Sequence, residues 1–522
     1  MEARYWDAAI GVEAVGGISY RMYSNRPRRL TQLLAFTDAW PDRPCIVQGE
    51  RVVTFAALRN AAMAKAADLR AAGVVAGDHV LIIGWNSPDW VMNYWSCLCA
   101  GAVPVVANSW WSEAEVADAL DLIQPRLVLA HPAIAKRIPA PWPLGVWECD
   151  EQGAPAASAP VVDPTADENA PAAIIFTSGT QGRPKAVELA HRSLLSNQLM
   201  ILHVTRKLPY TPDPAAGDVG LHTGPLFHIG GLHAMHRSVL VGNTLIFGGG
   251  RFDPGEVIAL IEKHRIVRWS AVPTMISRIL EHPALPGSDV SSLTAITLGG
   301  SAISADFIAR VREGLPSVEA RIATGYGLSE NGGQATTASG KDTARKPGAT
   351  GRAMPLVEMK TVPLPGLPDG EVLVRSPTQM LRYYGMADSP IDADGWLYTG
   401  DLGKVDEDGF LWITGRSKEI IIRGGENIAP AAVEEALGAL PGVVETKVFG
   451  IPHPELGEEV MAVVVVDRDV TAQELQADLR CRLASFAVPT RWRLQTEPLP
   501  VNQTGKIDKL ALLALAMEEA AA

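Results

Sequence analysis

Between Thr54 and Ala130 the chain alternates helix signals with short apolar runs, and few architectures accept that pattern. Apolar and small residues at Leu58, Ala62, Ala66 and Leu69 predict a helix that starts at Thr54 and stops at Gly73. Val80-Leu81-Ile82-Ile83 predicts a buried strand, and Ser87-Pro88 opens the next helix with proline at its first position. Residues 102–107 predict another strand, Ser112-x-x-Glu115 is a capping box for the helix after it, and residues 126–130 predict a further strand. These strands carry no polar face, as expected where helices cover both sides. The series therefore predicts α/β architecture around a parallel sheet. A chain of 522 residues is too long for one such core and has room for roughly three to four units of domain size.

After an Ala-, Pro- and Asp-rich connection over residues 151–173, the run Ile174-Ile175-Phe176 leads into Thr177-Ser178-Gly179-Thr180-Gln181-Gly182-Arg183-Pro184-Lys185. Glycines let a loop bring its backbone N–H groups close to an anion, while hydroxyls and a lysine add donors and charge. Phosphate is the guest that such a loop suits. The spacing Gly179-x-x-Gly182-x-x-Lys185 is neither the Walker pattern nor the GxGxxG of a dinucleotide fold. A plain surface loop after a strand is the competing reading of this stretch alone.

Composition narrows the partners. A net charge of -12 argues against nucleic acid, and 47% hydrophobic with 20% charged residues describes an ordinary globular protein. Cys45, Cys97, Cys99, Cys149 and Cys481 have no metal or redox spacing and read as reduced thiols. The start Met1-Glu2-Ala3-Arg4 begins no signal peptide, no apolar run approaches the ~20 residues of a membrane span, and the end is no Ser-Lys-Leu address. The expectation is a cytoplasmic protein with no integral membrane association.

The later chain changes texture. Asp253-Pro254-Gly255-Glu256 predicts a helix start, and residues 267–271, 294–298 and 318–322 predict strands. From Glu371 strands alternate around turns at Asp394-Gly395 and Asp408-Gly409. Residues 411–422 cross an expected domain boundary. Beyond it, Lys447-Val448-Phe449, residues 461–465 and the capping box Thr471-x-x-Glu474 predict an α+β module of about a hundred residues. A cleft between a large and a small domain is a favoured ligand site.

The stretch from Ile174 to Lys185 resembles the phosphate loop of the adenylate-forming superfamily, which comprises acyl-CoA synthetases, adenylation domains and beetle luciferases. Four further segments match that family in order: Gly325-Tyr326-Gly327-Leu328-Ser329-Glu330, Tyr398-Thr399-Gly400-Asp401, Gly415-Arg416-Ser417-Lys418-Glu419 and Asn502-Gln503-Thr504-Gly505-Lys506. Supporting matches are Leu226-Phe227-His228-Ile229-Gly230-Gly231, Gly299-Gly300-Ser301-Ala302, Gly351-Arg352 and Gly450-Ile451-Pro452-His453. Taken alone, Tyr326 reads equally as a packing residue, Glu330, Arg416 and Lys418 as solvated charges, and His228 as a core histidine.

The resemblance implies a large N-terminal domain (residues 1–415) of parallel α/β sheets with a β-rich subdomain, and a small mobile α+β C-terminal domain (416–522) hinged near Lys418. It implies an ATP- and Mg²⁺-dependent acid–thiol ligase that makes an acyl-adenylate and then a coenzyme A thioester, releasing pyrophosphate and AMP. Thr177, Ser178, Gly179, Thr180, Gly182, Lys185, Gly300, Ser301, Tyr326, Gly327, Ser329, Asp401, Arg416 and Lys506 would bind ATP or AMP. Among them Tyr326 would lie on adenine, Asp401 would accept from the ribose hydroxyls, and Thr177 with Glu330 would hold the metal. Lys506, Glu330 and His228 carry the catalytic expectation, with Lys506 joining carboxylate to α-phosphate. His228, Ile229, Gly299, Gly325 and Gly327 would shape the acid and thiol path, and Gly424-Gly425 would enter it for the second half-reaction.

Small-acid members of the family place a bulky tryptophan where this chain has Gly327. Glycine there predicts an open pocket, widened by Gly230, Gly231, Gly299, Gly300, Gly332 and Gly333 and lined by Ile229, Val272 and Ala323. The expected substrate is a hydrophobic acid: medium- or long-chain fatty, aryl-alkanoic or alicyclic. Trp110 and Trp111 depart from the polar residues common in the family after that strand, and the sequence gives no account of them. Alternatives are transfer to a carrier-protein thiol, a luciferase-like monooxygenase and a catalytically silent nucleotide binder; the absence of a carrier domain in the chain favours coenzyme A. A monomer or homodimer is expected.

Overall fold

The computed structural model describes residues 6–151, 167–177, 184–299, 303, 305–367, 369–502, 505–509 and 511–515. Among them the strands form a hairpin and sheets of seven, thirteen and five. The seven-stranded sheet runs Arg382–Tyr383, Lys185–Ala190, Pro171–Thr177, Val103–Ala107, His79–Ile83, Leu127–Ala130, Leu144–Gly145. Its pairs from Pro171–Thr177 to Leu144–Gly145 are parallel, as the helix–strand alternation predicts. The capping signals hold too. Thr54 accepts from the Ala57 N–H ahead of Phe55–Ala71, and Ser112 and Glu115 cap each other ahead of Glu113–Ile123.

Side-chain alternation shows why both faces are apolar. Val80 and Ile82 enter one buried cluster while Leu81 and Ile83 enter another. The first cluster also takes Ile46, Leu245 and Phe247 from the thirteen-stranded sheet, whose Val47 and Ile246 point into a third. Phe55–Ala71, Pro88–Ala100, His191–Val204 and Ile229–Val241 all contribute to that shared cluster, so these helices are the filling between two sheets.

The thirteen-stranded sheet is parallel from Pro44–Gln48 to Ile322–Leu328 and antiparallel beyond. One sequence expectation fails here. Residues 316–321 are a 3-10 turn begun by Pro316, and the strand is Ile322–Leu328. Val318 is buried as a packing residue and not as part of a strand. The Tyr326 motif therefore begins inside the strand, and its Ser329 and Glu330 fall in the turn that ends it.

The last strand of this sheet, Phe410–Arg416, passes through the 3-10 segment Ser417–Glu419 into Ile421–Arg423 of the five-stranded sheet. There Gly457–Val466 is central, with Val460, Ala462 and Val464 packed on one face and Met461, Val463 and Val465 on the other. The second face is also covered by Leu499 and Leu512.

Candidate active site

The strands Pro171–Thr177 and Lys185–Ala190 are antiparallel, so Thr177 stands opposite Lys185 at the mouth of a hairpin. Ser178, Gly179, Thr180 and Gly182 in its tip, and Gly300 and Ser301, lie outside the described residues. The Lys185 ammonium sits 4.4 Å from the ring centre of Tyr383, whose hydroxyl donates to Glu330 Oε1 at 2.8 Å. Glu330 occupies the one-turn segment Ser329–Asn331, and its carbonyl accepts from the Met380 N–H at 2.9 Å. Tyr383 pairs with Val187 of the seven-stranded sheet while Glu330 leads into the thirteen-stranded one. One phenol thus ties a carboxylate on one sheet to a lysine on the other. Sequence reasoning missed Tyr383; its only signal is the aromatic pair Tyr383-Tyr384.

Deeper in the site, Asp401 is buried and accepts from the Tyr326 hydroxyl at 2.7 Å, while the Arg416 Nε lies 2.8 Å from its other oxygen. Thr399 accepts from the Asp401 N–H at 3.1 Å and donates to the Val372 carbonyl, which holds the turn that aims the carboxylate. Burial and then the neighbouring Asp401 charge push the Tyr326 phenol far above its ordinary pKa, so it stays a donor. Tyr326, Asp401 and Arg416 come from three different strands and meet at one point.

His228 is the N-cap residue of the helix Ile229–Val241. Burial lowers its pKa to about 4, and the Lys506 charge adds to the shift, so the imidazole is neutral at pH 7. Lys506 follows Gly505, whose positive φ of 79° makes the turn and whose carbonyl accepts from the Thr274 hydroxyl of the large domain. Surrounding protein and then Arg416 lower the Lys506 pKa while Asp401 opposes them; the residue is nonetheless exposed to solvent. Lys506, His228, Asp401 and Arg416 thus act on one another electrostatically.

The glycines separate into two kinds. A Cβ on Gly230 would meet nothing within 4 Å, and one on Gly299 only the Gly325 carbonyl at 3.9 Å. A Cβ on Gly327 would strike the Gly333 carbonyl and the Gln334 Cα, the latter at 2.8 Å. Gly325 is closed by Gln334 and Thr336, Gly231 by Pro225 and Leu226, Gly332 by Thr378, and Gly333 by His233 and Asn197. The expectation that Gly231, Gly327, Gly332 and Gly333 are there to leave pocket volume is therefore corrected: close backbone or side-chain approach requires them. Of the described glycines expected at the pocket, Gly230 and Gly299 face room.

Gly424 and Gly425 form the exposed turn between Ile421–Arg423 and Glu426–Ile428, with Leu456 against Gly424 and Asn427 donating to the Gly366 carbonyl. Among the described residues none of these contacts reaches His228 or Lys506. Lys418 is exposed within Ser417–Glu419, and the following module is further tied by Lys509 to Glu419 at 3.5 Å. Trp111 packs edge-on against Phe176 at 4.8 Å and so braces the strand that ends at Thr177. Trp110 meets Trp85 at 4.5 Å and carries the Arg251 guanidinium 4.9 Å from its ring centre.

The Tyr326, Asp401 and Arg416 constellation, with Lys506 on the small module, points to a class, and comparison with known proteins agrees. The AMP-binding enzyme family matches residues 35–384, and the AMP-binding enzyme C-terminal domain matches residues 432–506. The chain belongs to the AMP-binding enzyme family. More narrowly, it is an ATP-dependent acid–thiol ligase of the acyl-CoA synthetase class, working through an acyl-adenylate. It is 32% identical to a feruloyl-CoA synthase of an Amycolatopsis species over 90% of this chain and 95% of that one. It is 33% identical to the 3-[(3aS,4S,7aS)-7a-methyl-1,5-dioxo-octahydro-1H-inden-4-yl]propanoyl:CoA ligase of Mycobacterium tuberculosis, over 91% and 96%. The structure of ATP-bound MatB from Rhodopseudomonas palustris superposes with a TM-score of 0.81 at 28% identity, covering 94% of this chain and 99% of that one. No helix among the described residues is long and apolar enough to cross a membrane.

Proposed function

We propose that this enzyme activates a bulky or medium-length hydrophobic carboxylic acid as its adenylate and passes the acyl group to coenzyme A. The observation that carries the reading is that Tyr326, Asp401 and Arg416 bond to one another at one point while the backbone beside Lys506 accepts from Thr274 across the domain boundary. Two anions must meet and a third must leave, so charge control is the main requirement. In this reading Lys506 bridges the acid and the α-phosphate, which orients the attacking oxygen and stabilises the charge that develops. Asp401 accepts from the ribose hydroxyls, Arg416 offsets its charge, and the Tyr326 ring packs on adenine. Lys185 and the hydroxyl loop hold the outer phosphates.

Glu330 and Thr177 offer oxygen donors, the kind Mg²⁺ prefers, and would hold an ion shared with ATP. Mg²⁺ held there supplies neutralisation of the phosphates. Ile229 and Val272 give apolar lining, the open space at Gly230 and Gly299 gives room, and the fused-ring and aryl acids in the names of the relatives agree with that size. Rotation about Lys418 would withdraw Lys506 and bring Gly424-Gly425 in for thioester formation.

The test is AMP release from Mg·ATP across acetate, octanoate, phenylpropanoate and an alicyclic propanoate, with and without coenzyme A, with products identified by mass. Coenzyme A-dependent AMP release, greatest with the larger acids, is the expected result. Faster turnover of acetate than octanoate or phenylpropanoate would overturn the substrate class. Acyl-adenylate that accumulates regardless of coenzyme A would move the search to a carrier-protein thiol.

A further inference from the structure

The helix Ile229–Val241 starts at the proposed acid pocket, beside His228, and also reaches the turn that carries Glu330, through a hydrogen-bond chain whose direction is fixed. Arg237 Nε can only donate, and it donates to Gln198 Oε1 at 2.9 Å. That orients the amide, so Gln198 Nε2 must donate to His233 Nδ1, also at 2.9 Å. With Nδ1 accepting, the neutral ring carries its proton on Nε2, which donates to the Gly332 carbonyl at 2.7 Å. The same ring lies where a Gly333 Cβ would be, 2.5 Å from Nε2, and Gly332 and Gly333 both have positive φ. Asn197, beside Gln198 on the helix His191–Val204, donates to the Gln334 carbonyl at 3.4 Å. Thus the backbone just after Glu330 is held from outside by two helices.

We infer that His233 is a positioning residue: its locked Nε2–H fixes the Ser329–Gly333 turn so that the Glu330 carboxylate faces the phosphates, and it ties that turn to the acid-pocket helix. The inference rests on the proposed role of Glu330 and deepens it. His233 touches no reacting atom. Outer partners of a metal-holding carboxylate typically change affinity or activity by about 10–100-fold when removed.

The test uses the full chain with His233→Phe, which keeps a ring without either nitrogen, and His233→Gln, whose amide reaches the Nε2 position. Calorimetric binding of ATP with and without Mg²⁺, in the absence of acid, is the first readout. Separate rates of adenylation and of thioester formation from supplied acyl-adenylate are the second. For His233→Phe, ATP binding with Mg²⁺ is expected to weaken about 10-fold while binding without it stays unchanged. Adenylation should slow about 10–100-fold with thioester formation spared, and His233→Gln should recover most of the loss. Gln198→Leu, which leaves the ring but removes the donor that sets its tautomer, should move the same readouts less, and it decides the matter if His233→Phe does not fold. Unchanged Mg²⁺ dependence, equal loss of both half-reactions, or His233→Gln as impaired as His233→Phe would each overturn the inference. Glu330→Gln is the control: if it leaves Mg²⁺ dependence intact, the reading of Glu330 itself has failed, whereas an effect there without one at His233 removes only this inference.

Discussion

Tyr383 shows how one residue can serve two charges. Its hydroxyl uses one Glu330 oxygen and leaves the other open, while its ring face meets the Lys185 ammonium. Tyr383→Phe separates these tasks, because the ring stays and the donor goes. Adenylation kcat/KM is expected to fall about 10-fold with a raised Mg²⁺ requirement, and a wild-type Mg²⁺ titration would disprove the assignment. Lys506→Ala is expected to slow acyl-AMP formation at least ~100-fold and leave thioester formation from supplied acyl-adenylate near wild type. Equal loss of both steps would remove the domain-rotation reading. Lys506 and Asp401 could be expected from the sequence because they stand in short motifs that resemble those of the family. Tyr383 was not, since its partner is 53 residues away and only the crossing from one sheet to the other brings them together.

At the scale of elements, glycines in one motif can have opposite reasons for being there. Ile322–Leu328 and Gly333–Ser339 approach each other with a register shift at Tyr326/Gly327, and the Gly327 Cα faces the backbone of the partner strand. Gly327→Ala is therefore expected to destabilise the fold by about 1–3 kcal/mol in a denaturant melt, since the strands must move apart. Gly230→Leu should leave stability nearly unchanged and lower kcat/KM for bulky acids relative to acetate by at least about 10–200-fold, the range a single methylene commands in an apolar pocket. If Gly327→Ala narrowed acid choice without loss of stability, the two kinds of glycine would have been confused. A sequence pattern marks where side chains are absent; whether room or contact replaces them depends on the strand opposite. The strand expected over 318–322 failed for a related reason, because Val318 satisfies the same apolar pattern from a 3-10 turn.

Across the whole molecule, the same packing that builds the site makes stability depend on pH. Burial lowers the pKa of His191 to about 3 and of His222, His228 and His233 to about 4, and holds His236 well below 6.5. Below pH 6.5 the unfolded chain takes up protons that the folded chain refuses, so stability falls as pH drops and is fully present above that value. Each such histidine contributes a slope of about 1.4 kcal/mol per pH unit through the window from 6.5 down to its folded pKa. Denaturant melts at pH 8, 7, 6 and 5 should show a plateau and then a steep decline, and a flat profile to pH 5 would mean that these rings titrate as if exposed. The layered architecture was legible because double-sided apolar strands have few solutions. How the small module sits on the large one was not, since Thr274 and Gly505 are 231 residues apart. Ser417–Glu419 is the covalent thread between the two sheets, and it is only one short turn long. A tether that short keeps Lys506 at an effective concentration in the millimolar range or above near the cleft, whichever face the module presents. Under the proposed rotation its departure and return would therefore be unimolecular events, independent of how dilute the enzyme becomes.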